Sequence, residues 1–150
     1  MAIWSKIEAF FDRRCILFTQ GRLEELMASH PDIFVIYRPD GIEVATSREE
    51  GLAMMRVLWT RAREAGMARV TAHLTSINER PNGRYCAGVT VHHWNSEDES
   101  LGSDDVEYYL RQTDHGDLEV ELVNMCVLRS SIAEGVKGGL KRANNVTRLR

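Results

Sequence analysis

HPDIFVIYRPDG, residues 30–41, is an apolar run that ends in an arginine and then a turn. Successive side chains on a strand point to opposite faces, so Arg38 shares a face with Phe34 and Ile36. Pro39-Asp-Gly41 suits a three-residue loop, a type I turn closed by a glycine at positive φ. In that register Arg38 pairs with Ile42, Ile36 with Val44 and Phe34 with Thr46, so Arg38 sits on the buried face while Tyr37 and Glu43 sit on the other. A guanidinium buried without an anion is costly. With no acid on its own sheet face, Arg38 is expected at a pocket rim, against a helix carboxylate such as Asp12, or against a ligand carboxylate.

The chain before this stretch reads as helix. Ser5-Lys-Ile-Glu8 has the capping-box pattern, and Ile7, Phe11, Cys15 and Phe18 continue it as one apolar stripe that stops at Gly21. A second short helix over 22–29 carries Leu23, Leu26 and Met27 and ends before Pro31. After the hairpin, Ser47-Arg-Glu-Glu50 is another capping box, opening a third helix that runs to about Ala65 with Gly66 as its stop.

The remainder reads as strands over 69–79, 84–94, 105–113 and 117–127. Asn82-Gly83 predicts a two-residue turn that sets Leu74 against Val91, Ala72 against His93 and His73 against His92. Matching apolar faces across the loop 95–104 places His93 beside Val106 and Val91 beside Tyr108. In the last hairpin, Tyr108 then meets Leu122, Leu110 meets Val120 and Val106 meets Asn124. One sheet face is therefore apolar, with Ala72, Leu74, Val89, Val91, Val106, Leu110, Val120 and Leu122, and four polar side chains are set within it: Arg38, His93, Tyr108 and Asn124. These four are the candidate ligand-binding residues. His93 and Tyr108 are the catalytic candidates, an imidazole that serves as base near neutral pH and a phenol that, with the Asn124 amide, orients a carbonyl. On the opposite face, His73, His92 and Glu107 fall in one row, a metal-ligand set by residue type. The alternative for that face is a threonine-rich contact between two copies of the chain.

Length and composition fit one soluble domain: 150 residues, 43% hydrophobic and 27% charged. No apolar stretch approaches the ~20 residues of a membrane span, and MAIWSKIEAFFD does not read as a signal peptide. Cys15, Cys86 and Cys126 show no metal or redox spacing and are expected as buried free thiols in a reducing cytoplasm. The charge is uneven, with six basic residues against one acid over 129–150 and an acidic cluster over 96–105. The tail has no aromatic residue to stack a base, so nucleic acid is not the expected partner. Residues 1–128 are thus expected as the domain and 129–150 as a basic C-terminal tail, free to be flexible, with no cofactor required.

Three N-terminal helices on a curved, mostly antiparallel sheet make an α+β cone with a pocket at its wide end. The order helix, GRLEEL, HPDIFVIYRPDG, capped helix and two long hairpins resembles the nuclear transport factor 2-like superfamily, which includes SnoaL-like and ketosteroid-isomerase-like proteins with the cystatin-like fold. The resemblance covers about residues 3–127. It implies a homodimer paired through the open sheet face and a small apolar or carboxylate-bearing molecule in the cone. It also implies, as the alternative, a cyclase, isomerase or dehydratase using His93 and Tyr108, or an interaction module without ligand. Isomerases of this kind carry a carboxylate base where this chain has Arg38, and an arginine cannot deprotonate a carbon.

Overall fold

The computed structural model describes residues 2–130, 132 and 148–149, so most of the expected tail lies outside the described residues. Three helices, α1 (Ile3–Thr19), α2 (Leu23–Met27) and α3 (Arg48–Glu64), cover a sheet of β1 (Phe34–Arg38), β2 (Gly41–Ala45), β3 (Arg69–Arg80), β4 (Arg84–Trp94), β5 (Ser100–Gln112), β6 (Leu118–Leu128) and β7 (Arg148–Leu149). The strand order is β3-β4-β5-β6-β1-β2-β7, antiparallel throughout except for β1 beside β6. This is the expected α+β architecture. Among the described residues no helix is long and apolar enough to cross a membrane.

The helices form where their apolar spacing and caps put them. Ser47 caps α3, its Oγ accepting from the Glu50 amide at 3.1 Å, while Glu49 and Glu50 in the first turn and Arg61 and Arg63 in the last complement the helix dipole. The Ser5–Glu8 box is not used: α1 begins at Ile3 with Ala2 as an N-cap that makes no side-chain bond. Ile3 packs on the core, so burial extends the helix upstream of its local signal. Ile7, Phe11 and Leu17 of α1 and Met54 and Met55 of α3 are buried in one core with Leu74, Val89, Val106, Leu110 and Val120 of the sheet, and Ala62 of α3 packs in a second cluster with Met67 and Val70.

Four registers differ from expectation. In the first hairpin Arg38 pairs with Gly41 and Ile36 with Glu43, so the loop is Pro39-Asp40 and β2 is shifted by one residue. Glu43 and Ala45, not Ile42 and Val44, therefore share the buried face with Arg38. The physical reason is charge: Arg38 Nε and Glu43 Oε1 are 3.3 Å apart, with side chains only 2% and 4% exposed. Between β3 and β4 the loop takes Pro81-Asn-Gly83, with Asn82 and Gly83 at positive φ, and a bulge at Thr75 moves the pairing again, so Leu74 meets Val89 and Ala72 meets Val91.

β5 starts at Ser100, five residues early, and Val89 rather than His93 lies opposite Val106. In β6 an extra residue, Glu121, separates the Leu110–Val120 pair from the Tyr109–Leu122 pair. That bulge reverses the faces beyond it. Val123 and Met125 turn inward, and Asn124 turns out to the opposite face, where its Nδ2 donates to Glu107 Oε1 at 2.9 Å.

The outer face is corrected as well. His73 pairs with Thr90, and His92 with Thr71, so the two histidines do not face one another. Glu107 lies opposite Gly88, four residues along β4 from His92, which is roughly 13 Å. The set His73, His92 and Glu107 does not converge, and among the described residues no group of three His, Cys, Asp or Glu is placed to hold a metal ion. All three cysteines are free, but only Cys86 is buried, Cys15 being intermediate and Cys126 exposed. Part of the expected tail is packed: Ile132 is buried beside Ala62, Met67 and Val70, and β7 pairs with β2.

Removing one member of a buried ion pair leaves the other uncompensated. Arg38→Ala is therefore expected to cost ~3–5 kcal/mol of stability, as measured by urea unfolding, with Arg38→Met combined with Glu43→Leu recovering most of it. A loss below about 1 kcal/mol, the value of an exposed pair, would show that the pair is not sealed from water.

Candidate functional site

Where the helices arch over the curved sheet, they leave a cavity of about 180 Å³. Its wall is mainly apolar, with Phe11 and Phe18 from α1, Met55 and Leu58 from α3, and Val91, Val106 and Val123 from the sheet. Six polar side chains interrupt it: Arg14, His30, Arg38, His93, Asp104 and Tyr108. Of the four candidates read from sequence, Arg38, His93 and Tyr108 line this cavity, and Asn124 does not.

The polar groups fall into separate clusters. On β4 and β5, His93 Nε2 lies 3.3 Å from Asp104 Oδ2. Asp104 Oδ1 accepts from the backbone amides of Arg129 and Ser130 at 2.8 and 2.9 Å, and Oδ2 accepts from Ser130 Oγ at 2.8 Å. Burial pushes the Asp104 carboxyl up, but the bonds from His93, Ser130 and Arg129 outweigh it and hold the group below its ordinary value. An ionised Asp104 only accepts, so Nε2 of His93 is the donor of this pair, and in the neutral ring Nδ1 carries the lone pair. That Nδ1 is buried and makes no hydrogen bond among the described residues. Gly102 permits the arrangement: at φ +101 it has no Cβ, and one built there would lie 2.8 Å from Ser130 Cα.

The second cluster joins α1, the segment after α2, and β5. Arg14 Nη1 donates to Ser29 Oγ at 3.0 Å and to His30 Nε2 at 3.0 Å. Ser29 in turn donates its hydroxyl to the Leu26 carbonyl at 2.9 Å, which fixes the lone pair toward Arg14. The guanidinium carbon lies 5.7 Å from the Phe10 ring centre and 5.6 Å from that of Tyr108. Burial lowers the Arg14 pKa, with Tyr108 opposing. Burial raises the Tyr108 phenol, with Arg14 opposing. Cys15, pushed up by burial to about 11, stays a thiol.

Searches of the sequence against protein-family models and against curated proteins find no match. Solved structures do match. A chain bearing the NTF2 name superposes with a TM-score of 0.64 at 13% identity, covering 82% of this chain and 98% of the other. A Nostoc punctiforme protein of unknown function with a cystatin-like fold gives 0.61 at 18% identity, covering 87% and 96%. A Catenulispora acidiphila protein in complex with S-DNPA gives 0.59 at 15% identity, covering 82% and 92%. The chain has the nuclear transport factor 2-like, cystatin-like fold.

Three polar groups of this NTF2-like cavity escaped the sequence reading. Arg14 was legible in principle, because it lies three residues after Phe11 and four before Phe18, on the helix's own apolar stripe. Asp104 alternates inward with Val106, Tyr108 and Leu110, but its acidic neighbours disguised the start of β5 as loop. His30 carries no local signal. Its burial comes from Phe34, whose ring centre is 4.8 Å away, and from the Arg14 contact.

Burial, reinforced by the nearby Arg14 and Arg48 charges, holds His30 well below the ordinary histidine value of 6.5. The unfolded chain takes up that proton first, so the stability tied to neutral His30 is present above pH 6.5 and drains away as pH falls below it. The melting temperature of the NTF2-like domain should therefore drop between pH 7 and pH 5. His30→Gln, whose carbonyl still accepts from Arg14, should flatten that slope. Equal slopes in the two proteins, measured by calorimetry, would remove His30 as the source.

Proposed function

We propose that this protein binds a small, mostly apolar molecule in the cavity between helices and sheet. The observation that carries the reading is a formed cavity of about 180 Å³ with apolar walls and a few convergent polar groups. An empty apolar cavity of ~150 Å³ accommodates benzene, so the volume corresponds to a molecule of about one ring. The Catenulispora neighbour in complex with S-DNPA supports the same use of the fold. A chain that served only as an interaction module would be expected to fill this space with side chains. Native mass spectrometry of the purified protein should detect a co-purified small molecule, and saturation-transfer NMR should detect benzene or toluene bound at millimolar concentration. Failure of all of these to bind would end the reading.

The His93–Asp104 pair supports a second reading, an acid–base enzyme of the SnoaL-like kind catalysing a cyclisation, isomerisation or dehydration. Nδ1 of His93 would take the proton from carbon, Asp104 would steady the imidazolium, and the Tyr108 phenol would donate to the oxygen that gains charge. General-base catalysis contributes about 10²–10⁴-fold. His93→Gln should lower any turnover by that factor while changing ligand affinity by no more than a few fold, as read by steady-state kinetics beside calorimetry. Equal loss of both would make His93 a binding group only.

We propose also that two copies pair through the outer sheet face. Trp94 stacks on His92 there with ring centres 4.3 Å apart, and Arg69 lies 4.9 Å over Trp94, giving a flat aromatic patch amid Thr71, Thr75 and Thr90. Sedimentation equilibrium should show a dimer that Trp94→Glu dissociates, and a monomeric wild-type chain would end the proposal.

A further inference from the structure

We infer that Arg14 is the anion-receiving group of the cavity and that the molecule bound there is a ring-sized carboxylic acid, its carboxylate held on the Arg14 guanidinium beside Ser29 and Tyr108. This rests on the binding reading above and narrows it to a chemical class.

The argument is one of unbalanced charge. Three ionisable groups in the cavity wall have counter-charges or acceptors supplied by the fold: Arg38 has Glu43, and His93 and Asp104 have each other. Arg14 differs. Among the described residues it has no carboxylate within 4.0 Å, and the partners of its Nη1, the Ser29 hydroxyl and the His30 imidazole, are uncharged acceptors. Its other neighbours do not supply a charge near neutral pH. Tyr108 is raised by burial, Cys15 is raised likewise, and His30 is lowered. A guanidinium drawn partly out of water without a counter-ion is costly, and a bound anion would relieve that cost.

The geometry says which anion. A guanidinium offers five N–H donors in a planar fork, and Nη1 spends its own on Ser29 and His30. Tyr108 takes part in a further side-chain hydrogen bond with the guanidinium, and the donors left beyond these suit the oxygens of a carboxylate. With Arg38 already paired to Glu43, one guanidinium without a carboxylate within 4.0 Å among the described residues fits one negative charge better than a phosphate dianion, which gathers several basic groups. The volume of about 180 Å³ admits a ring and a carboxylate, and Phe11, Phe18 and Val106 meet the ring.

The test uses the full chain and three probes of nearly equal shape: benzoate, benzamide and toluene, titrated by calorimetry at pH 7. Benzoate is expected to bind at least tenfold tighter than benzamide, and Arg14→Gln to abolish that preference while leaving toluene binding within twofold. Arg14→Lys, which keeps the charge without the fork, should retain part of it. If benzamide and toluene bind the wild type and benzoate binds no tighter, the carboxylate assignment is overturned and the cavity remains a binding site. If none of the three binds, both readings fall. Should Arg14→Gln not fold, the wild-type ratio of benzoate to benzamide affinity decides by itself.

Discussion

The cavity lies against a sheet interrupted by four extra residues. Thr75 in β3, Leu101 in β5, and Glu121 and Cys126 in β6 each break a ladder, and a bulge bends its strand and increases the local twist. A sheet curved in this way cannot meet three straight helices along its whole length. Leu74, Val89, Leu110 and Val120 pack in the core with residues of α1 and α3, and the cavity opens over Val91, His93, Asp104 and Tyr108 of β4 and β5. Gly88 shows how closely the β3 bulge is accommodated. A Cβ at that position would lie 2.5 Å from Ser76 Oγ and 3.0 Å from Thr75 Oγ1, so the partner strand keeps a bare backbone opposite the bulge.

Hollowing a protein exposes its wall to an interior without bulk water, and each polar group there must be accounted for. Asp104 is the best satisfied, accepting from two backbone amides, a hydroxyl and an imidazole. Its amide donors come from Arg129 and Ser130, just past the last residue of β6, so the end of that strand is tied to Asp104 in the cavity wall. Arg38 and Glu43 neutralise one another across the first hairpin. Against this background Arg14 stands out, because among the described residues it has hydrogen-bond acceptors and no carboxylate within 4.0 Å. Both arginines line the cavity, but the one that the strand pattern marks, Arg38, is paired with Glu43 within the fold.

What the sequence made legible follows from strand parity. Between β3 and β4 the expected pairing slips by two residues and between β4 and β5 by four, and both slips return each side chain to its own face. His93 and Tyr108 were therefore placed inward correctly from wrong partners. The other two errors are odd. A one-residue slip in β2 exchanges Ile42 and Val44 for Glu43 and Ala45, and the Glu121 bulge exchanges Asn124 for Val123 and Met125. Those are the places where the reading of the site failed. Element order and approximate helix spans were readable from apolar spacing, glycines and the Ser47 cap, while the Ser5–Glu8 box misplaced the start of α1. A bulge was not, since one extra residue in an alternating strand leaves no mark until its partner is known.

Parity also sets how the two polar clusters stand to each other. Asp104 and Tyr108 are four residues apart on β5 and point the same way, so their Cα atoms are separated by roughly 13 Å with Val106 between them. Arg14 lies at the Tyr108 end and His93 at the Asp104 end. A molecule anchored by a carboxylate at the first end, as proposed above, would lay its apolar body over Val106 and direct its far edge toward His93. Binding needs only the first cluster and the apolar wall. Chemistry needs in addition an acidic carbon carried at that far edge, so the two functional readings differ in the molecule that enters and share one cavity and one orientation.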